Sequence, residues 1–318
     1  MRLEQDHSAR RAAILEARPE VRRLFGPTAA TAWMGLGAVV IQFGIAALLA
    51  HQPWWVLLLA AFGVGAFVIH CLNCIVHECT HNLVFKRGAA NRALAIFVNL
   101  PCLVPSAMAF RHYHMLHHHH FGVRGMDSDV PTSWEVRWVK NKRLPKLAWL
   151  LLLPISYSLL HPLRIRARLP LDSWLAWNIV TIAIAWVCVV WFLGWPAVAY
   201  LLMSTYFAVG PHPAGAHILQ EHIAFDGGNG MASYYGPVNL VSVNLGYHLE
   251  HHDMPAISGW RLPALRKTAP EFYASHYHHR SRAMGLWHFV SDSEIALDSR
   301  PIRELDAPSS RAFGRETV

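Results

Sequence analysis

The sequence predicts an all-α integral membrane protein with four transmembrane helices, and three observations carry that expectation. Of its 318 residues 53% are hydrophobic and only 15% charged, with a mean hydropathy of +0.24, too apolar for an ordinary soluble domain. Four long apolar runs follow one another in two pairs. Between and after the pairs, histidines recur at helical spacing.

Residues 1–27 are charged and precede the first apolar run, 28–50, which is followed by 54–76. Each run meets the ~20 residues needed to cross a bilayer core as helix. The first lies too far from the N-terminus, behind too many charges and without a small-residue cleavage site, to be a removable signal. A second pair spans 174–195 and 197 to about 210. The implied organisation is a cytoplasmic N-terminal segment 1–27, a membrane hairpin 28–76, a cytoplasmic and interfacial segment 77–172, a second hairpin 173–211, a cytoplasmic segment 212–300 and a flexible tail 301–318. The apolar stretches 93–109 and 147–160, interrupted by Pro101, Pro105 and Pro154, are expected at the interface as helices lying against the bilayer or dipping into it.

Orientation follows from lysine and arginine. The N-terminal segment (Arg10, Arg11, Arg18, Arg22, Arg23), the middle segment (Lys86, Arg87, Arg137, Lys140, Lys142, Arg143, Lys146, Arg164, Arg166, Arg168) and the last segment (Arg261, Arg266, Lys267, Arg280, Arg282) are basic. The turns 51–53 and 193–196 carry neither residue. All three basic regions, and both termini, are therefore expected in the cytoplasm. That placement uses the net charge of +8 without a nucleic acid partner, because Trp54, Trp55, Trp174 and Trp195 sit where interface belts belong and not on a basic stacking surface. Five scattered cysteines exclude a disulfide framework. Cys71 and Cys74 read as small buried side chains. Nothing in the sequence sets an oligomeric state.

Three clusters carry the chemistry: His77 and His81; His114, His117 and His118; His248, His251 and His252. Residues three and four apart share a helix face, so each cluster presents two or three imidazoles to one place. Neutral imidazole suits iron, zinc, copper or nickel. Eight rings exceed what one ion takes, which implies a two-metal centre. The positive-inside pattern puts all three clusters on the cytoplasmic side, where they can share a site. His212, His217 and His222 add candidates after the fourth run, with His222 the expected ninth ligand and His217 the second choice. His70, seven residues before His77, reads as packing or as an outer partner. Metal-bound histidines usually donate their other ring N–H to a carboxylate or carbonyl, and Glu78, Asp127, Asp129, Glu221, Glu250 and Asp253 lie close enough in sequence to accept. His7, His51, His161 and His288 read as solvated or interfacial, without a ligand role.

These residues resemble the membrane desaturase and hydroxylase superfamily. Its pattern appears as HECTHN at 77–82, HYHMLHH at 112–118 and GYHLEHH at 246–252. Within it, RRAAILEARPEVRRLFGP at 10–27, FRHYHMLHHHHFGVRGMDSDVPT at 110–132, HPAGAHILQEH at 212–222, YYGPVNL from 234, NLGYHLEHHDMP to 255 and LPALRKTAPEFY at 262–273 resemble the sphingolipid (dihydroceramide) Δ4-desaturases. The resemblance covers nearly the whole chain. It implies four membrane helices under a cytoplasmic helical cap, a tunnel for a lipid chain, and a di-iron centre held by His77, His81, His114, His117, His118, His222, His248, His251 and His252. The chain departs from the subfamily at Leu116, where an acidic residue is usual, at His119 and His120, where Arg-Tyr is usual, and at Ala216, where glycine is usual.

An unactivated methylene has no acidic proton, so side-chain acid–base chemistry cannot remove its hydrogen. Two irons, dioxygen as co-substrate and two external electrons are implied. His212-Pro213-Ala214-Gly215 is only a loose echo of a haem-binding turn, so a separate cytochrome b5 or ferredoxin-type donor is expected to dock on the basic surface. The leading expectation is a sphingolipid Δ4-desaturase acting on dihydroceramide or a sphinganine-containing lipid. The alternative is a desaturase, acetylenase or hydroxylase of another acyl lipid. A metal transporter is remote, since its ligands would lie near the bilayer midplane. Richness in Ala, Arg and Trp points to a bacterial inner membrane; a eukaryotic chain would reside in the endoplasmic reticulum.

Overall fold

A computed structural model describes residues 3–165, 167–215, 217–225 and 230–304. Arg166, Ala216 and most of the expected tail lie outside them. The first helix, α1 (Leu3–Ala17), is followed by α2 (Ala30–Leu48). Small or slender residues at helical spacing, Gly35, Ala38, Val39, Gln42 and Ala46, form the buried face of α2, while Trp33, Val40, Ile41 and Leu48 point outward. Small residues let helices approach closely where lipid offers no hydrophobic drive. The second long helix is continuous over 27 residues: α3 (Trp54–Ala60), one π-turn (Ala61–Gly65) and α4 (Ala66–Thr80). It outruns the expected end at residue 76, so His77 stands on the helix itself and His81 caps it.

The stretch 93–109, expected to lie against the bilayer or dip into it, contains a sharp bend. Helix α5 (Gly88–Asn99) and α6 (Ala107–His119) meet at 116°, across a turn containing Pro101 and Pro105 that cannot continue a helix. Asn99 Oδ1 accepts from the N–H of Ser106 and Ala107 and from Asn178 Nδ2, while Asn178 Oδ1 accepts from Met108 N–H. Two amides from other helices thus satisfy the orphan N–H groups that begin α6, and they fix the direction of the helix carrying the second histidine cluster. Next come α7 (Ser133–Val139), begun by a Thr132–Glu135 capping box, and α8 (Arg143–Arg164). Helix α8 buries Trp149, Leu150 and Leu153 and exposes Leu144, Leu147, Leu151 and Ile155, the two-sided face expected of an interfacial helix at 147–160.

The stretch α9 (Ser173–Val209) is 37 residues long. At Gly194, with φ 78° and ψ 177°, it doubles back. Trp186 Nε1 donates to the carbonyl of Leu103 and Thr205 Oγ1 to that of Cys102, yet in a straight helix positions 186 and 205 would lie about 28 Å apart. Two apolar arms, 173–193 and 195–209, therefore run side by side. By length and composition three helices suit a membrane, or four if the bent pair α5–α6 counts as one.

Beyond α9 the chain builds a polar layer: α10 (His217–His222), β1 (Ser233–Tyr234), α11 (His248–Asp253), α12 (Leu262–Thr268), β2 (His278–His279) and α13 (Arg282–Ser291). The two short strands pair in parallel. Helix α1 joins this layer, with Ile14, Val21, Phe121, Leu249, Met254 and Leu265 in one apolar cluster. Residues 301–304 are not a free tail here, for Arg303 pairs with the backbone at Gly122 and Val123. Two charges counted toward orientation are interior ties. Lys146 is fully buried and donates to the carbonyls of Phe289, Asp292 and Ile295 at the end of α13, where a helix terminus favours a cation. Arg282 is buried against Glu221. All five cysteines are free, and Cys71 and Cys74 are buried as expected.

At Gly65 a Cβ would meet Ser204 Oγ at 2.1 Å and Tyr200 Oη at 2.9 Å. We expect Gly65→Ala to lower stability in detergent by about 1–3 kcal/mol, read as a lower melting temperature, while Gly63→Ala, with open space around its Cβ, leaves it unchanged.

Candidate metal centre

Helices α4, α6, α10 and α11 bring the expected histidines together from positions up to 175 residues apart. Ring nitrogens of His77, His81, His114, His118 and His251 lie within 4.8 Å of one another, and those of His117, His222 and His252 form a second group. His248 stands against the second group, its ring centroid 4.6 Å from His222 and 4.5 Å from His252. The groups adjoin where His118 stacks on His252 at 4.2 Å.

Each H-x-x-H-H box divides between the two groups by helical geometry. His114 and His118, four apart, share the first group while His117 enters the second. In α11 the four-apart pair, His248 and His252, belongs to the second while His251 reaches the first. Adjacent positions on a helix point about 100° apart, so His117 and His118, like His251 and His252, enter different groups. One box thus contributes a pair to one group and a single ring to the other, and the third box does the reverse.

The donor set fits metal ions. His81 Nε2 lies 2.9 Å from His114 Nε2, which lies 3.0 Å from His118 Nε2, itself 3.3 Å from His251 Nε2. Two imidazoles bound at about 2.1 Å and a right angle to one ion have nitrogens about 3.0 Å apart. Both ring nitrogens of His77, together with His117 Nε2, His222 Nδ1, His248 Nε2 and His252 Nε2, are buried without a hydrogen bond among the described residues. Burial, reinforced by neighbouring histidines, holds His222, His248 and His252 well below the usual imidazole range, and His251 falls to about 3. Neutral rings are what a metal requires.

Of the expected carboxylate partners, Asp127 is placed most directly. Its Oδ1 accepts from His117 Nδ1 at 2.9 Å, and it also accepts from the N–H of Gly122 and Asp129. That bond turns His117 Nε2 toward the second group. Asp129 Oδ2 is 3.6 Å from both His117 and His222. Glu221 Oε2 faces His248 Nδ1 at 3.2 Å, though not aligned for a hydrogen bond, while its other oxygen pairs with Arg282. Burial pushes Glu221 up to about 7 against the pull of that guanidinium.

The other carboxylates bond elsewhere. Glu78 accepts from Ser258 Oγ and Gly259 N–H, and Glu250 from Ser233 Oγ and Tyr235 Oη. Both fasten ligand-bearing helices to the layer and leave the rings alone. Asp253 accepts from His7 at 2.6 Å and from Arg10 at 2.7 Å. His7 was expected to be solvated or interfacial; it is buried, its ring 5.5 Å from that of His252. A lone histidine in a charged N-terminal stretch gave no periodic signal of this contact. His217 enters neither group: its Nδ1 donates to the Ala214 carbonyl, and its ring lies 4.9 Å from His70. His51 and His288 are exposed, as expected. A cleft of about 500 Å3 lined by His7, Arg11, Met115 and His119 opens onto His81, His118 and His252.

Residues 52–283, covering all the histidines of both groups, match the family model described as fatty acid desaturase. The chain belongs to the fatty acid desaturase family. Desaturases are oxidoreductases, and an array of closely spaced imidazoles suits redox metals such as iron and copper. Among curated relatives of this desaturase, a Schizosaccharomyces pombe sphingolipid delta(4)-desaturase is 39% identical over 95% of this chain and 86% of its own length. A rice protein named sphingolipid delta(4)-desaturase DES1-like is 37% identical over 95% of this chain and 91% of its own. The human sphingolipid delta(4)-desaturase/C4-monooxygenase DES2 is 38% identical over 93% and 92%.

Asp127→Asn should weaken metal binding about 10- to 100-fold with the helical content unchanged, measured by metal analysis of purified protein and chelator competition. Histidines held below their usual value take up protons only on unfolding between about pH 6.5 and pH 3. Stability of chelator-treated protein should therefore be full above pH 6.5 and fall as pH drops below it, followed by thermal melts across that range.

Proposed function

We propose that this chain is a membrane-embedded di-iron sphingolipid Δ4-desaturase that removes two hydrogens from a dihydroceramide or a sphinganine-containing lipid. One observation carries the reading: two adjoining groups of imidazoles, most of them buried, meet at the end of the helix Trp54–Thr80, which is long and apolar enough to enter a bilayer. The printed names of relatives that match over most of both chains support the substrate class. In this reading the arms 173–193 and 195–209 cross separately, giving four spans. The histidine layer and both termini face the cytoplasm, and α8 lies in the interface.

His77, His81, His114, His118 and His251 would hold one iron, and His117, His222, His248 and His252 the other. The irons, when bound, supply the oxidising power toward an unactivated C–H that no side chain has, using dioxygen and two electrons. The chain's own residues do the positioning. Asp127 fixes the His117 ring, Glu78 and Glu250 anchor α4 and α11, and Asn99 with Asn178 sets the start of α6. Burial of most of the rings limits their contact with water, while His81, His118 and His252 open onto the cleft. The cleft at Arg11 and His119 gives an external donor of the cytochrome b5 or ferredoxin type a route close to the rings.

A second reading, hydroxylation at C4 of the same lipid, is favoured by the human relative whose name couples both activities. Both reactions begin at the same carbon, and small differences in its placement separate them.

Expression with a reductase and donor, followed by mass spectrometry of long-chain bases, tests the proposal. Loss of two mass units from sphinganine bases is the expected result; gain of one oxygen would support hydroxylation, and a change confined to fatty acyl chains would overturn the substrate. His251→Ala should fold, hold less iron and make no product. Full activity in that variant would refute its ligand role.

A further inference from the structure

His70 and His217 are buried or half-buried imidazoles that neither histidine group uses. His70 is fully buried in α4, seven residues before His77 and so about 10 Å deeper along the same face. Its Nε2 lies 3.6 Å from Cys74 Sγ, and its Nδ1 has no hydrogen-bond partner among the described residues. An ionisable side chain at such depth in a membrane helix is a functional candidate. The ring of His217 lies 4.9 Å away, on α10 five residues before His222. The pair is thus flanked by one expected ligand of each group, His77 along α4 and His222 along α10, on the side that leads into the apolar helices.

Their hydrogen-bonding capacity is complementary. His217 donates its Nδ1–H to Ala214, which leaves Nε2 as an acceptor. On His70 the nitrogen beside the weakly donating Cys74 thiol takes the lone pair, which leaves the hydrogen on the unpartnered Nδ1. A donor on one ring and an acceptor on the other, with centroids 4.9 Å apart, match an aliphatic hydroxyl.

We propose that His70 and His217 form a subsite for the polar head of the lipid, hydrogen-bonding the hydroxyl next to the reacting methylene. The inference rests on the sphingolipid reading and specifies how the substrate is recognised. A double bond between C4 and C5 of a sphingoid base begins one carbon from the C3 hydroxyl. Placing C4 at the metals therefore drags a hydroxyl into a dry site, where it is costly unless paired. An acyl chain oxidised at its middle brings no polar group there and has no use for the unpartnered Nδ1 of His70. A site built to pair a hydroxyl also rejects the analogue that lacks it.

The test compares desaturation of dihydroceramide and its 3-deoxy analogue by the wild-type protein, His70→Leu and His70→Gln, with iron content measured on each. The wild type should prefer dihydroceramide by about 10²-fold in kcat/KM. His70→Leu should lose most of that preference through a KM for dihydroceramide about 10-fold higher, with iron unchanged, and His70→Gln, which can still pair a hydroxyl, should keep it. Should His70→Leu fail to fold, His217→Leu is read in the same way. Dihydroceramide turnover by wild type combined with an undiminished preference in the leucine variants overturns the subsite alone, as does activity lost in proportion to iron. Wild-type protein that leaves dihydroceramide untouched overturns the sphingolipid reading and the subsite with it.

Discussion

Keeping a crowd of imidazoles close together while few of their nitrogens find a hydrogen-bond partner is the constraint on which this structure turns. Orphaned nitrogens remain on His77, His117, His222, His248 and His252. Buried polar groups without partners oppose folding, so these rings are tolerable only where something shared answers their lone pairs. A divalent cation does that for several rings at once, and the nitrogen separations in the first group have the dimensions of such a shell.

Much of the remaining architecture exists to hold those rings without touching them. Asn99 and Asn178 aim α6. Glu78 and Glu250, each beside a ligand candidate in sequence, bond to Ser258 and to Ser233 and Tyr235. Fixing the backbone rather than the imidazole leaves the ring nitrogens free while limiting their movement. Among the described residues, His117 alone of the clustered histidines donates to a carboxylate in good geometry, to Asp127.

The helical class, the long apolar stretches and the histidine clusters were legible because each is periodic: hydropathy over about 20 residues, imidazoles at three and four. His222 could be preferred to His217 from its place further from the fourth apolar run and beside Glu221. What the sequence hid is the product of tertiary contact. No local signal tells that α5 and α6 meet at 116°, since Pro101 and Pro105 announce a break and not its angle. Counting Lys146 and Arg282 as surface charges failed because burial with carbonyls or a carboxylate leaves no mark in composition. The division of each box between two groups is in the spacing itself, yet which ring goes where depends on how α6 and α11 face each other.

The bond between His7 and Asp253 joins the opening helix to the residue that follows the last of the clustered histidines. Asp253 is made 246 residues after His7, so during synthesis α1 emerges long before the residue it binds. Until then the helix lacks this tie to the histidine layer. A chain stopped short of residue 253 would carry α1 unlatched, and its closure reports that the third histidine cluster has been made.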